Sequence, residues 1–210
     1  SNSLYFSQVT MNEEGQLIMN NSHRSYRYRG LGLAKDIAGI EKRSESLNKL
    51  FDEEDGVLFD NFEVNNLLEE NDMLIMKFQT KFTDMEDQEM ILFSPLKFSS
   101  FSENPFTQEY RMFPVDFGYA YTETYSTVVS VPDGYEINDY PLEAGYTING
   151  EYVVFVYSSS MTNDVLNISA KFVVKTPLIP ATEYENLKYF MESVASKLSE
   201  PVILKKKTSP

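Results

Sequence analysis

The chain has 210 residues, 42% of them hydrophobic and 24% charged. That is enough for one large domain or two of about 100 residues, and it excludes wholesale disorder. Eighteen Lys and Arg against 32 Asp and Glu leave a net charge of −14, which repels phosphate backbones and makes nucleic acid and anionic membranes poor partners. With no Cys and a single His, thiol catalysis, disulfides, thiolate metal sites and any two-His zinc site are ruled out.

In chain order, Leu4–Thr10 and the segment from Gln16 toward Tyr28 predict a hairpin around the turn Asn12-Glu13-Glu14-Gly15. Arg24, Tyr26 and Tyr28 would share one face of it and Arg27 and Arg29 the other. His23 lacks an acid partner and a Gly-x-Ser-x-Gly elbow, so it reads as a surface or hairpin residue rather than a triad base. Ile37, Ile40, Leu47, Leu50 and Phe51 recur at helical spacing, predicting a helix over about 36–53. Val57–Val64, Met73–Phe82 and Glu89–Phe93 are strand-like runs. The Ser-, Phe- and Pro-rich stretch from Pro95 to Pro105 suggests a boundary between a β-rich unit over 1–105 and a second over 106–210.

In the second half, Tyr119–Val131 alternates, with Tyr119, Tyr121, Tyr125, Val129 and Val131 on one face. Asn149-Gly150 between Tyr146–Ile148 and Tyr152–Val154 is a hairpin signal, because a type I′ turn requires positive φ at both central residues. Leu166–Val174 is a further alternating strand. After Pro180, Thr182-Glu183-Tyr184-Glu185 matches a capping box, and Tyr184, Leu187, Phe190, Met191, Val194 and Leu198 mark one face of a helix over about 182–198. Pro201 ends it, Val202–Leu204 forms a last short strand, and Lys205-Lys206-Lys207 reads as a frayed tail. Many short strands with two helices predict a mainly β protein of antiparallel, sandwich-like units, each with one packed helix.

The chemistry available to these residues is limited. The carboxylate runs Asp52–Asp55, Glu69–Asp72 and Asp84–Glu89 match no EF-hand loop and read as solvated turns, although a Ca²⁺ site or a carboxylate pair leaves no sure local signature. Tyr119, Tyr121 and Tyr125 could form a flat sugar-stacking platform, although most such residues pack against a helix or the opposite sheet. No cofactor-binding pattern is present. No run approaches the roughly 18 apolar residues of a membrane-crossing helix, and no basic-then-apolar leader opens the chain. Ser1-Asn2 without an initiator Met suggests the remnant of a cleaved tag on a truncated chain.

Arg111-Met112-Phe113-Pro114-Val115-Asp116-Phe117-Gly118-Tyr119, followed by Glu123-Thr124-Tyr125 and Val131-Pro132-Asp133-Gly134-Tyr135, resembles the start of an uncharacterised domain. That domain ends certain large transglutaminase-like proteins of Bacteroides-type bacteria. Pro180, Tyr184, Leu187, Phe190 and the closing Glu200–Lys206 resemble the family's last helix and tail, so the likeness covers about residues 107–206. The resemblance implies an end domain that follows a papain-like core in a periplasmic, cell-surface or secreted parent. Such a core needs a Cys nucleophile, which this chain lacks, so no catalytic residue carries over. Arg111, Pro114, Asp116 and Gly118 are expected to serve structure, through an ion pair or turn-fixing hydrogen bonds. The resulting expectation is a non-catalytic accessory module that packs on a missing upstream core or docks a partner protein. A carbohydrate-binding or adhesive sandwich is the alternative.

Overall fold

The structure is a computed structural model and describes residues 1–31, 56–65, 73–83, 85, 88–97, 99–148 and 152–208. The helix expected over about 36–53, the acidic runs Asp52–Asp55 and Glu69–Asp72, and the Asn149-Gly150 turn lie outside them. The chain is mainly β. Its strands are β1 (Asn2–Met11), β2 (Leu17–Tyr26), β3 (Val57–Asn65), β4 (Met73–Phe82), β5 (Met90–Phe93), β6 (Val115–Asp116), β7 (Tyr121–Ser130), β8 (Tyr135–Asp139), β9 (Ala144–Thr147), β10 (Val153–Thr162), β11 (Val165–Val174), β12 (Leu178–Ile179) and β13 (Val202–Lys206). One 16-residue helix, α1 (Tyr184–Ser199), precedes β13.

Eight strands form one sheet in the order β3-β4-β2-β1-β7-β11-β10-β9. The β1–β2 hairpin turns where the Asn12 side-chain oxygen accepts from the Glu14 and Gln16 amides at 3.1 and 2.8 Å, while Gly15 takes φ 78°. β9 and β10 pair antiparallel across the predicted hairpin, with Tyr146 opposite Phe155. One pairing departs from the antiparallel expectation. β1 lies parallel to β7, with Ser3 beside Glu123 and Tyr5 beside Tyr125, so one sheet joins β1–β4 to β7 and β9–β11. At the β3 edge the register with β4 shifts between Asp60 and Glu63, and Asn61 adopts φ 54°. This is a β-bulge.

Alternation decides which side of each strand is buried. Val9, Met19, Val129, Leu166, Ile168, Phe172 and Phe155 point to one face. Over that face lie α1, the segment 94–106 and the three-stranded sheet β5-β13-β8. Phe172 joins these layers, with Phe101 stacked on it at 4.0 Å, Phe190 of α1 at 6.0 Å and Tyr121 at 6.3 Å. The apolar stripe Tyr184, Leu187, Phe190, Met191, Val194 and Leu198 is buried, as its spacing requires.

On the opposite, solvent-facing side, no outward residue of β1, β2, β4, β7, β10 or β11 is Asp or Glu. The bulged edge strand β3 supplies the nearby acids, with Asp60 bonded to Lys81 Nζ at 3.0 Å.

Several local expectations need correction. β2 ends at Tyr26, and Arg27 takes φ 56° into a helical turn at 28–31. Tyr28 and Arg29 therefore leave the hairpin. Thr182 does not cap α1. The chain enters through a 3-10 turn, Ala181–Glu183, in which the Glu183 amide donates to the Pro180 carbonyl at 2.9 Å, and no side chain caps either start. The Lys tail is not frayed. Lys205 and Lys206 belong to β13, the Lys206 amide donates to Glu89 O at 2.9 Å and the Lys207 amide to Gly134 O at 2.7 Å. The short strands β6, β8 and β12 were not visible as periodic runs.

Phe172→Ala should lower unfolding free energy by roughly 3–5 kcal/mol, because the ring sits where sheet, helix and loop meet. Val156→Ala on the exposed face of β10 should cost no more than about 0.5 kcal/mol. Urea unfolding of both variants tests the assignment of inner and outer faces, and equal losses would refute it.

Candidate functional site

Two features carry the chemistry of the described residues: a polar cluster sealed inside the large sheet, and an exposed apolar loop. The cluster follows from the parallel join. Inward register on β1, β2 and β7 stacks Ser3, Tyr5, His23, Ser25, Glu123 and Tyr125 side by side. Glu123 is completely buried, and its carboxylate pairs with the Arg29 guanidinium and accepts from the Tyr125 hydroxyl at 2.5 Å. Arg29 also lies over the Tyr121 ring, 4.6 Å from its centroid. The Ser100 amide donates to the Tyr125 oxygen at 3.2 Å, so the 94–106 segment closes the cluster from above.

His23 is buried, not on the surface. Its Nε2 lies 2.6 Å from the Ser25 hydroxyl, which is 2.9 Å from that of Ser3. The imidazole stacks on Tyr5 at 3.9 Å, and Tyr5 stacks on Tyr125 at 4.4 Å. Burial lowers the His23 pKa to about 3, and the charge of Arg29 acts in the same direction. Burial also raises the phenols of Tyr5 and Tyr125 and pushes Tyr121 up to about 12. The Ser25–His23 pair has the contact of a nucleophile and its base, but the imidazole is a poor proton acceptor near neutral pH and the serine is enclosed. The arrangement organises the interior.

Tyr119, Tyr121 and Tyr125 form no flat platform; Tyr121 and Tyr125 pack into the core, the commoner fate of such residues. Tyr121 and Tyr125 are 6% and 4% exposed because their register turns them inward, and Tyr119 is half-buried beside Tyr28 at 5.4 Å. Glu123 and Arg29 were missed in the sequence. The available signal was an acid at an inward position of the alternating run Tyr121-x-Glu123-x-Tyr125.

The motif residues Arg111, Pro114, Asp116 and Gly118 are all exposed. Asp116 fixes a turn, its Oδ1 accepting from the Gly118 amide at 2.8 Å while Gly118 takes φ 79°. Arg111 instead stands over the Tyr184 ring at 5.5 Å and donates to Gln108 Oε1 at 3.4 Å. The Tyr184 hydroxyl and Lys188 Nζ of α1 both donate to the Gln108 carbonyl, at 3.1 and 3.2 Å. This anchored loop holds Tyr110, Met112 and Phe113 at 74%, 80% and 78% exposure. A shallow groove of about 400 Å³ lies between β9 and α1, lined by Tyr146, Ile148, Asn186 and Tyr189 among others. Among the described residues, no group of three or more His, Asp or Glu side chains is placed to hold a metal ion, and no helix is long and apolar enough to cross a membrane.

The family model described as "Domain of Unknown Function with solved-structure structure (DUF3858)" matches residues 89–204. No curated protein matches the chain. A solved structure from Parabacteroides distasonis, described as a "putative protease", aligns with a TM-score of 0.45 at 6% identity over 57% of this chain. The chain spans 24% of the length of that protein.

Two predictions follow from the cluster. A folded-state His23 pKa of about 3 against 6.5 means that the unfolded chain takes up a proton first. Stability is then unaffected by His23 above pH 6.5 and falls by about 1.4 kcal/mol per unit as pH drops below it. Denaturant midpoints at pH 7, 6 and 5 should show this slope in the wild type, and His23→Gln should lose it; parallel slopes would show that His23 titrates normally. Separately, Arg29→Met should cost about 3–5 kcal/mol by stranding a buried carboxylate. Adding Glu123→Gln to it should restore part of that loss. Additive losses in this double-mutant cycle would argue against the ion pair.

Proposed function

We propose that the chain, which belongs to the DUF3858 family, is a non-catalytic accessory module that docks on a neighbouring domain of a larger polypeptide. The carrying observation is the anchored Tyr110–Phe113 loop. Three large apolar side chains stand in solvent, yet the loop beneath them is pinned to α1 through Gln108 and Arg111. Apolar side chains exposed on a rigid support are the usual mark of a contact surface, since water is a poor environment for them and the loop gains nothing internally by presenting them. The sealed Ser25–His23 pair and the lack of any Cys support a structural rather than a chemical role for this part.

The sequence resemblance supports reading it as a domain that follows a papain-like, transglutaminase-like core in an exported protein. That parentage and its periplasmic, surface or secreted location form part of the proposal. In this reading the module shapes access to the core or presents it to a partner.

The isolated chain should fold cooperatively and be inert toward peptide substrates and toward glutamine–amine transamidation. Turnover by this chain alone, surviving repurification, would overturn the proposal. Replacing Tyr110, Met112 and Phe113 together by Ser should leave the melting temperature within about 2 °C, since the three side chains bury little. A collapse of stability would show that the loop serves the fold instead of a contact.

A further inference from the structure

Among the described residues on the solvent face of the large sheet, carboxylates are confined to the edge strand β3, where Asp60 bonds Lys81 and Glu63 stands opposite Lys77. The chain carries 32 carboxylate side chains, and none of them projects from the outward positions of its six central strands. Arg24, Lys77 and Lys171 do project there, all three exposed. Strand register sets their spacing. Lys77 stands on β4 and Lys171 on β11, four strands apart in the sheet, or roughly 19 Å at about 4.8 Å per strand. Level with Lys77 runs a row of neutral side chains, Ser22, Phe6, Ser126 and Ser169, on β2, β1, β7 and β11, and Lys171 stands two residues beyond its end. Phe6 is 48% exposed at the middle of this face.

We propose that this face binds an acidic polysaccharide, a chain of sugars bearing carboxylates at intervals. Cations separated by nearly 20 Å cannot close together on one small anion, but they can each meet a different charge along a polymer. The hydroxyls between them match sugar hydroxyls as donors and acceptors, and an exposed ring offers an apolar surface to a sugar face. Nucleic acid is a poorer match, because its dense phosphates would meet few cations on a protein of net charge −14. An anionic bilayer would be met by a hydroxyl-rich sheet, with no basic amphipathic helix beside it among the described residues. The proposal rests on the outer face alone and is independent of the docking loop.

Affinity electrophoresis and isothermal titration at low ionic strength test it, with polygalacturonate as probe, dextran as neutral polymer, and vesicles of phosphatidylglycerol and phosphatidylcholine as anionic lipid. The wild-type chain should be retarded by polygalacturonate and not by dextran, a comparison that needs no variant. Lys77→Gln with Lys171→Gln should weaken binding at least tenfold, and Phe6→Ser about threefold or more. Lys205→Gln with Lys207→Gln, the same charge change on the small sheet and tail, should leave binding unchanged. Absence of polygalacturonate binding would overturn the proposal. Equal binding to the anionic vesicles, or equal weakening by both lysine pairs, would overturn it too, because either points to unspecific attraction. Circular dichroism and gel filtration identify any variant that fails to fold, and for such a variant the wild-type comparison stands as the test.

Discussion

The parallel pairing of β1 beside β7 is the constraint on which the rest of the structure depends. A parallel pair cannot be joined by a tight turn, and here more than 100 residues separate the partners in sequence. Such a closure is entropically costly and must be fixed by interactions that are specific to one register. Glu123 supplies that specificity. In the observed register it reaches Arg29, which follows β2, whereas its bond to Tyr125 lies within β7 and would survive a slip. A slip of one residue would turn it, Tyr121 and Tyr125 to the wet side and bring Thr122, Thr124 and Ser126 into the core. A buried charge is an expensive way to gain stability but an effective way to reject alternatives, because removing it from its partner leaves it stranded.

The same junction explains the use of aromatic side chains. Tyr5, His23 and Tyr125 stack flat across three strands, so the seam between early and late strands is filled by rings whose polar tips find Ser and Glu partners. Phe101 reaches down from the 94–106 segment onto Phe172. That segment looks like a linker in composition, yet it buries Leu96, Phe101 and Phe106. The polar cluster and the apolar core are thus sealed by the same stretch of chain.

Much of this architecture was legible in the sequence wherever a period of two or 3.6 persisted. β1, β4, β7 and β11 and the buried stripe of α1 follow directly from alternation or helical spacing. Partners far apart in sequence were not legible, because periodicity gives the face of a strand and not its neighbour. Arg29 was misplaced because a left-handed Arg27 ends the strand two residues before it, a geometry usually signalled by Gly or Asn. The capping box failed because Pro180 steers the chain into a 3-10 turn first. β6 and β12 are two residues each, too short to show any period. Of the candidate sites, the motif around Arg111–Gly118 was visible as a motif. The exposure of its apolar members was not, since Met112 and Phe113 have the composition of core residues. That the six central strands present no outward acid could be recognised only after strand order placed separate sequence segments together.

The bulge on β3 has a consequence for how the molecule behaves in company. Among the described residues β3 is the outermost strand on its side of the sheet, and an outermost strand offers its backbone to any other extended chain. Here the ladder is broken at mid-strand, with Asp60, Asn61 and Glu63 at the break. A second copy arriving in register would meet two carboxylates and a left-handed kink where it needs a straight run of amides. The irregularity thus obstructs the growth of edge-to-edge fibrils, leaving the wide outer face free to meet other molecules without the sheet extending into its own copies.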